Sequence, residues 1–100
     1  MKATDITPTE LPPLGTYADA EAQDIPVPVK LFTPDAQWTW WLTEYDPETG
    51  VAFGFVEGFE RELGYVDIAE IQGVRGAMGL PIERDIYWQT KTLREVMDNA

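Results

Sequence analysis

One hundred residues of 11.3 kDa, 44% apolar and 12% aromatic, are enough for one core and too few for two. Eighteen acids face seven bases, a net charge of −11, and that field opposes direct binding to nucleic acid or to an anionic membrane surface. The chain has no Cys, His or Ser, which excludes disulfides, thiolate nucleophiles, imidazole ligation and the Ser-His-Asp or Cys-His triads.

The first residues, Met1 to Pro8, carry no apolar stretch of the kind a secretory signal needs. No run approaches the ~20 apolar residues that cross a bilayer, so the expectation is a soluble, cytoplasmic protein. Pro8, Pro12, Pro13, Pro26, Pro28 and Pro34 crowd the first third of the chain. Proline has no N–H and biases the residue before it away from helix. Residues 1–26 therefore read as an extended arm, with Thr9-Glu10-Leu11 at most a helical turn. Leu11, Leu14 and Tyr17 are its candidate anchors on a single domain spanning residues 27–100.

Val27 to Phe32 alternates weakly and suits an edge strand, where Pro28 is tolerated. Gln37 to Tyr45 is aromatic and Thr-rich and predicts a strand with Trp38, Trp40 and Leu42 on one face. Asp46-Pro-Glu-Thr-Gly50 is turn chemistry. Val51 to Phe59 alternates large and small residues. It is expected to place Val51, Phe53, Phe55 and Phe59 on one face and Ala52, Gly54, Val56 and Gly58 on the other. Together the two segments predict an antiparallel hairpin burying Trp38, Trp40, Phe53 and Phe55 on one face, with Trp41 half-covering the other.

Gly64 to Asp67 reads as a short strand. Asp67-Ile-Ala-Glu70 is a capping box opening a helix from Ile68 to Val74, closed by Gly73 or Gly76. Ile82 to Trp88 is a further strand candidate. Thr92-Leu-Arg-Glu95 is a second capping box, for a C-terminal helix carrying Leu93, Val96 and Met97. The fold class is α+β: a small antiparallel sheet on a central hairpin, a short helix, a C-terminal helix and an extended N-terminal arm.

Trp38, Trp40 and Trp41 suit either a stacking platform or a core, and large aromatics in a small chain favour the core. Glu44, Asp46 and Glu48 recur at two-residue spacing, followed by Glu57, Glu60 and Glu62. Carboxylate pairs can do acid/base work, but a chain this acidic produces such pairs by chance. The stretch Asp46 to Gly50 does not have the ligand spacing of a calcium loop. Gly73-Val-Arg75-Gly76-Ala-Met-Gly79 follows a helix instead of opening one, so a C-cap and tight turns are expected there and not a phosphate cradle. No cofactor and no metal site is expected.

Leu11-Pro-Pro-Leu14, Phe32-Thr-Pro-Asp35, Trp38-Thr-Trp40, Phe53-Gly54, Gly58-Phe59-Glu60, Glu62-Leu-Gly64-Tyr65, Val74-Arg75-Gly76 and Gly79-Leu-Pro-Ile-Glu-Arg-Asp85 stand in order along the chain. Over roughly residues 11 to 96 this pattern resembles the domain-of-unknown-function family 2958, small single-domain proteins of bacterial plasmids, phages and mobile elements. The resemblance implies no activity and supplies no catalytic residue. In the Gly79–Asp85 run, Pro81 is expected to fix a turn, Leu80 and Ile82 to enter the core and Arg84 to pair with an acid. The functional expectation is a non-enzymatic acidic interaction protein, a DNA mimic or anti-defence factor, that meets a basic host protein through Glu44, Asp46, Glu48, Glu57, Glu60 and Glu62. The alternative is a binding module that takes a peptide or small ligand on an aromatic strand face. An enzyme working with carboxylates alone is disfavoured by the missing His, Ser and Cys.

Overall fold

Seven strands and two helices follow the arm in the computed structural model, which describes residues 5–6 and 9–99. Of the segment Met1–Pro8, only Asp5 and Ile6 are described, and Pro8 lies outside. The main sheet has five antiparallel strands. They are β2 (Val29–Phe32), β3 (Thr39–Asp46), β4 (Val51–Glu57), β5 (Arg61–Asp67) and β6 (Glu83–Arg84), in the spatial order β5-β4-β3-β2-β6. A second, two-stranded sheet joins β1 (Pro26–Val27) to β7 (Lys91–Thr92). Helix α1 (Ile68–Ile71) follows β5 directly and α2 (Leu93–Asn99) follows β7.

The hairpin forms where the sequence places it. Gly50 takes φ +77° and donates its N–H to the Asp46 carbonyl at 2.8 Å. The Asp46 carboxylate accepts from Glu48 N at 2.9 Å and Thr49 Oγ1 at 3.0 Å, the local bonding that makes Asp a turn residue.

The hairpin's faces differ from expectation, and the cause is a bulge at Thr43. Near the turn Asp46 faces Val51 and Glu44 faces Phe53, but beyond the bulge Leu42 faces Gly54, Trp41 faces Phe55 and Trp40 faces Val56. One inserted residue reverses which side chains share a face. Trp40 and Leu42 therefore part from Phe53 and Phe55, which stand with Trp41. Thr43 is buried and donates its hydroxyl to the Phe53 carbonyl at 3.1 Å. Gly54 sits across from this distortion, where a Cβ would lie 2.0 Å from the Trp41 carbonyl oxygen. The small-residue face is thus small because its own neighbours press on it. At Gly58 the Trp38 ring does the same, 2.3 Å from an added Cβ.

The sheet is covered on both sides. Trp40, Leu42, Val29, Leu31, Ala52 and Val66 meet Leu11 of the arm, Ile68 and Ile71 of α1, and Ile82 on one face. Trp41 and Phe55 meet Ile25, Val27 and the α2 residues Leu93 and Val96 on the other, with Tyr17, Trp88 and Met97 packed around them. Trp41 is a core residue of the second face, not a half-cover. Within the arm Leu11 is 2% exposed and the Pro12 carbonyl accepts the Tyr45 N–H at 2.9 Å. Thr9 and Glu10 lie in a turn.

Both caps form. Asp67 Oδ1 accepts from Ala69 N and Glu70 N at 3.0 and 3.4 Å. Thr92 Oγ1 accepts from Glu95 N at 3.1 Å while Glu95 Oε1 accepts from Thr92 N at 3.2 Å, the reciprocal capping box.

Six further features depart from the sequence reading. Pro28 splits the 27–32 segment, so Val27 joins β7 while β2 is internal, between β3 and β6. Strand β5 begins at Arg61 instead of Gly64, and α1 ends at Ile71, where three-residue turns from Gly73 N to Glu70 O and Val74 N to Ile71 O take over. Strand β6 stops after two residues because Asp85 Oδ1 accepts the Tyr87 N–H and turns the chain. Phe59 is 94% exposed, carried out of β4 by the turn in which Gly58 N–H donates to the Glu60 carbonyl. Ile82 is buried as expected and Leu80 is not, because its N–H is held at the surface by Asp35 Oδ2 at 3.3 Å.

Candidate functional site

The six candidate acids are not brought into one row. Glu44 is buried, and its Oε1 accepts the Tyr17 N–H at 2.9 Å, fastening the arm to β3. Asp46 is spent on the hairpin turn and Glu48 is exposed within it. Glu57 stands opposite Thr39 and pairs with Arg61 at 3.0 Å. Glu60 is exposed in the β4–β5 turn. Glu62 stands opposite Val56, on the face that carries Trp40. The six therefore spread over both faces and two turns, with a cation among them.

The glycine-rich loop holds a carboxylate of its own chain. Asp35 Oδ2 accepts from Met78 N at 2.7 Å as well as Leu80 N, and an added Cβ at Gly76 would lie 2.0 Å from Asp35 Oδ1. Gly79 N–H closes a turn onto the Gly76 carbonyl at 3.0 Å with φ +75°. Arg75 donates to the Gln72 and Val74 carbonyls. The N–H groups of Met78, Gly79 and Leu80, three that a phosphate cradle would draw on, are thus already engaged.

A groove of about 630 Å³ opens at the β2–β6 end of the sheet. Phe32, Trp38, Thr39, Glu83, Ile86 and Tyr87 line it together with the charged groups of Lys30, Arg84 and Asp85. Strand β2 supplies Phe32, the turn after Pro34 supplies Trp38, and the Asp85 turn throws Ile86 and Tyr87 outward, 77% and 87% exposed. Trp38 is steadied by a stacked Trp40 at 5.9 Å and an edge-on Phe59 at 5.4 Å.

The cations of the groove are occupied. Lys30 Nζ lies 3.4 Å from Asp85 and over the Trp41 and Trp88 rings at 5.9 and 5.3 Å, and Arg84 pairs with Glu10. Glu83 is exposed and makes no ion pair among the described residues. Sequence reasoning singled out Trp38 and Arg84 but missed Phe32, Glu83, Ile86 and Tyr87. Asp85 was the available signal, since Asp ends a strand by bonding the backbone two residues on.

The fold defines a small α+β protein whose five-stranded antiparallel sheet is covered on both faces, with an aromatic groove at one end. The chain belongs to the family described as protein of unknown function (DUF2958), whose sequence model matches residues 7–100. Neither the curated proteins nor the solved structures give a match. Among the described residues no group of three or more Asp, Glu, His or Cys side chains is placed to hold a metal ion, and no helix is long and apolar enough to cross a membrane.

Proposed function

We propose that this protein is a non-enzymatic interaction module that acts in the cytoplasm and takes a positively charged segment of a basic partner protein into the groove between Trp38 and Tyr87. The supporting observation is that groove: the exposed Tyr87 and the half-buried Trp38 and Phe32 beside Glu83, a carboxylate with no ion pair among the described residues, on a chain of net charge −11. A Lys or Arg side chain stacks favourably on an aromatic face, and the surplus acid elsewhere draws a cationic partner in and speeds its encounter. Because the six acids share no row, the reading rests on the groove and not on imitation of a nucleic-acid backbone.

The test is fluorescence anisotropy with a labelled Arg/Lys/Gly peptide. Tyr87→Ala should weaken binding roughly three- to tenfold, the worth of one cation–aromatic contact. Glu83→Lys and Glu48→Lys change the net charge equally, so only the groove position distinguishes them. A larger loss for Glu83→Lys supports the groove. Equal losses, with Tyr87→Ala unchanged, would show a non-specific field and refute the proposal.

A further inference from the structure

At the opposite end of the sheet from the groove, β5 is an edge. Among the described residues its one ladder neighbour is β4, and the seven β4–β5 pairs from Val51–Asp67 to Glu57–Arg61 run without a bulge. No turn or loop backbone among the described residues hydrogen-bonds to Arg61–Val66. Edge strands are ordinarily protected by proline, lysine, a bulge or a covering element. Strand β5 has no proline, lysine or bulge, and its charged residues, Arg61, Glu62 and Asp67, stand at its two ends and leave Leu63-Gly64-Tyr65-Val66 uncharged.

Its sequence, Arg61-Glu-Leu-Gly64-Tyr-Val-Asp67, is close to self-complementary about Gly64. Antiparallel pairing of two copies around a two-fold axis through Gly64 sets Arg61 opposite Asp67, Leu63 opposite Tyr65 and Gly64 opposite itself. An axis normal to the sheet leaves each face on its own side, so both Leu63–Tyr65 pairs fall beside Phe53, which already meets Tyr65 edge-on at 5.0 Å. Leu63 and Tyr65 are 43% and 73% exposed in the single chain. The charges complement as well. Arg61 already serves Glu57 and the Met97 carbonyl, yet a guanidinium carries five donors. Asp67 caps α1 through Oδ1 alone, leaving Oδ2 for a cation.

We infer that two copies of this chain associate through β5, extending the two five-stranded sheets into one. The dimer is isologous, as a two-fold interface must be, and it leaves both grooves open. Since each copy carries a charge of −11, mutual repulsion opposes pairing, and association strengthens as salt screens it.

The absence of cysteine makes register directly readable. Gly64→Cys, Glu62→Cys and Glu48→Cys each introduce a unique thiol, and an added Cβ at Gly64 meets nothing within 4 Å. Opposed residues in an antiparallel pair bring their Cα atoms to about 4.5–5.5 Å, within disulfide reach, whereas two Glu62 positions are shifted by four residues, ~13 Å. Mild oxidation should therefore cross-link Gly64→Cys at least about tenfold faster than the other two. Equal rates for all three would overturn the inference. A second experiment does not depend on the glycine: Leu63→Lys/Tyr65→Lys and Leu63→Glu/Tyr65→Glu should each sediment as monomers and form a heterodimer when mixed. A mixture that stays monomeric at every salt concentration would overturn the inference.

Discussion

Replacing Trp41 tests the covered second face of the sheet, the feature that alternation along the strand hides. Its ring is 7% exposed and lies 5.8 Å from Phe55, beneath Leu93 and Val96 of α2. Burying a tryptophan removes about 150–250 Å² from water, worth roughly 4–6 kcal/mol at about 25 cal/mol per Å². Some of that remains with the alanine, so Trp41→Ala should cost about 3–5 kcal/mol, a large part of the ~5–15 kcal/mol available to a domain. Phe59→Ala, at a 94% exposed ring, is the control and should cost less than about 1 kcal/mol. Urea titrations followed by far-ultraviolet circular dichroism give both values. The faces are then separated by double-mutant cycles with milder changes. Trp41→Phe and Phe55→Leu should couple by about 0.5–1.5 kcal/mol because the rings touch. Trp40→Phe and Phe55→Leu, on opposite faces, should add within about 0.5 kcal/mol. Coupling of Phe55 to Trp40 and not to Trp41 would refute the bulge at Thr43 and the register built on it.

Thr92→Ala removes one half of the α2 capping box and should cost about 1 kcal/mol, seen as a fall in melting temperature of roughly 4–8 °C; an unchanged melting point would show that the cap does not hold α2 in place. Asp35→Ala releases the amides of Met78 and Leu80, whose hydrogen exchange should accelerate while the sheet amides keep their protection. Unchanged exchange at both amides would mean the carboxylate does not tether the glycine-rich loop.

The legible parts of this fold were local. The Asp46–Gly50 turn, the Asp67 cap and the Thr92–Glu95 box each lie within four or five residues, and their chemistry depends on side chains bonding nearby backbone. The bulge at Thr43 left no mark, because a buried threonine in a Thr- and Trp-rich strand looks the same with or without an extra unpaired residue. That single insertion moved Phe53 and Phe55 to the other side of the sheet. The acids were visible as a pattern in the chain and dispersed in space, since Glu44 turned inward to hold Tyr17 and Glu62 followed β5 onto the opposite face. The groove was illegible for another reason. It joins β2 and the Trp38 turn to residues about fifty positions later, Glu83 to Tyr87, and only the β2–β6 pairing of Leu31 with Arg84 brings them together.

The most direct measurement of the account is a map of backbone and indole N–H chemical shifts while the Arg/Lys/Gly peptide is added. Binding in the groove predicts shifts of the Trp38 indole and of the Phe32, Thr39, Ile86 and Tyr87 amides, with the Trp41 indole and the Asp46–Gly50 turn unmoved. Shifts centred on the hairpin turn and the Glu57–Glu62 segment, with the groove silent, would contradict it.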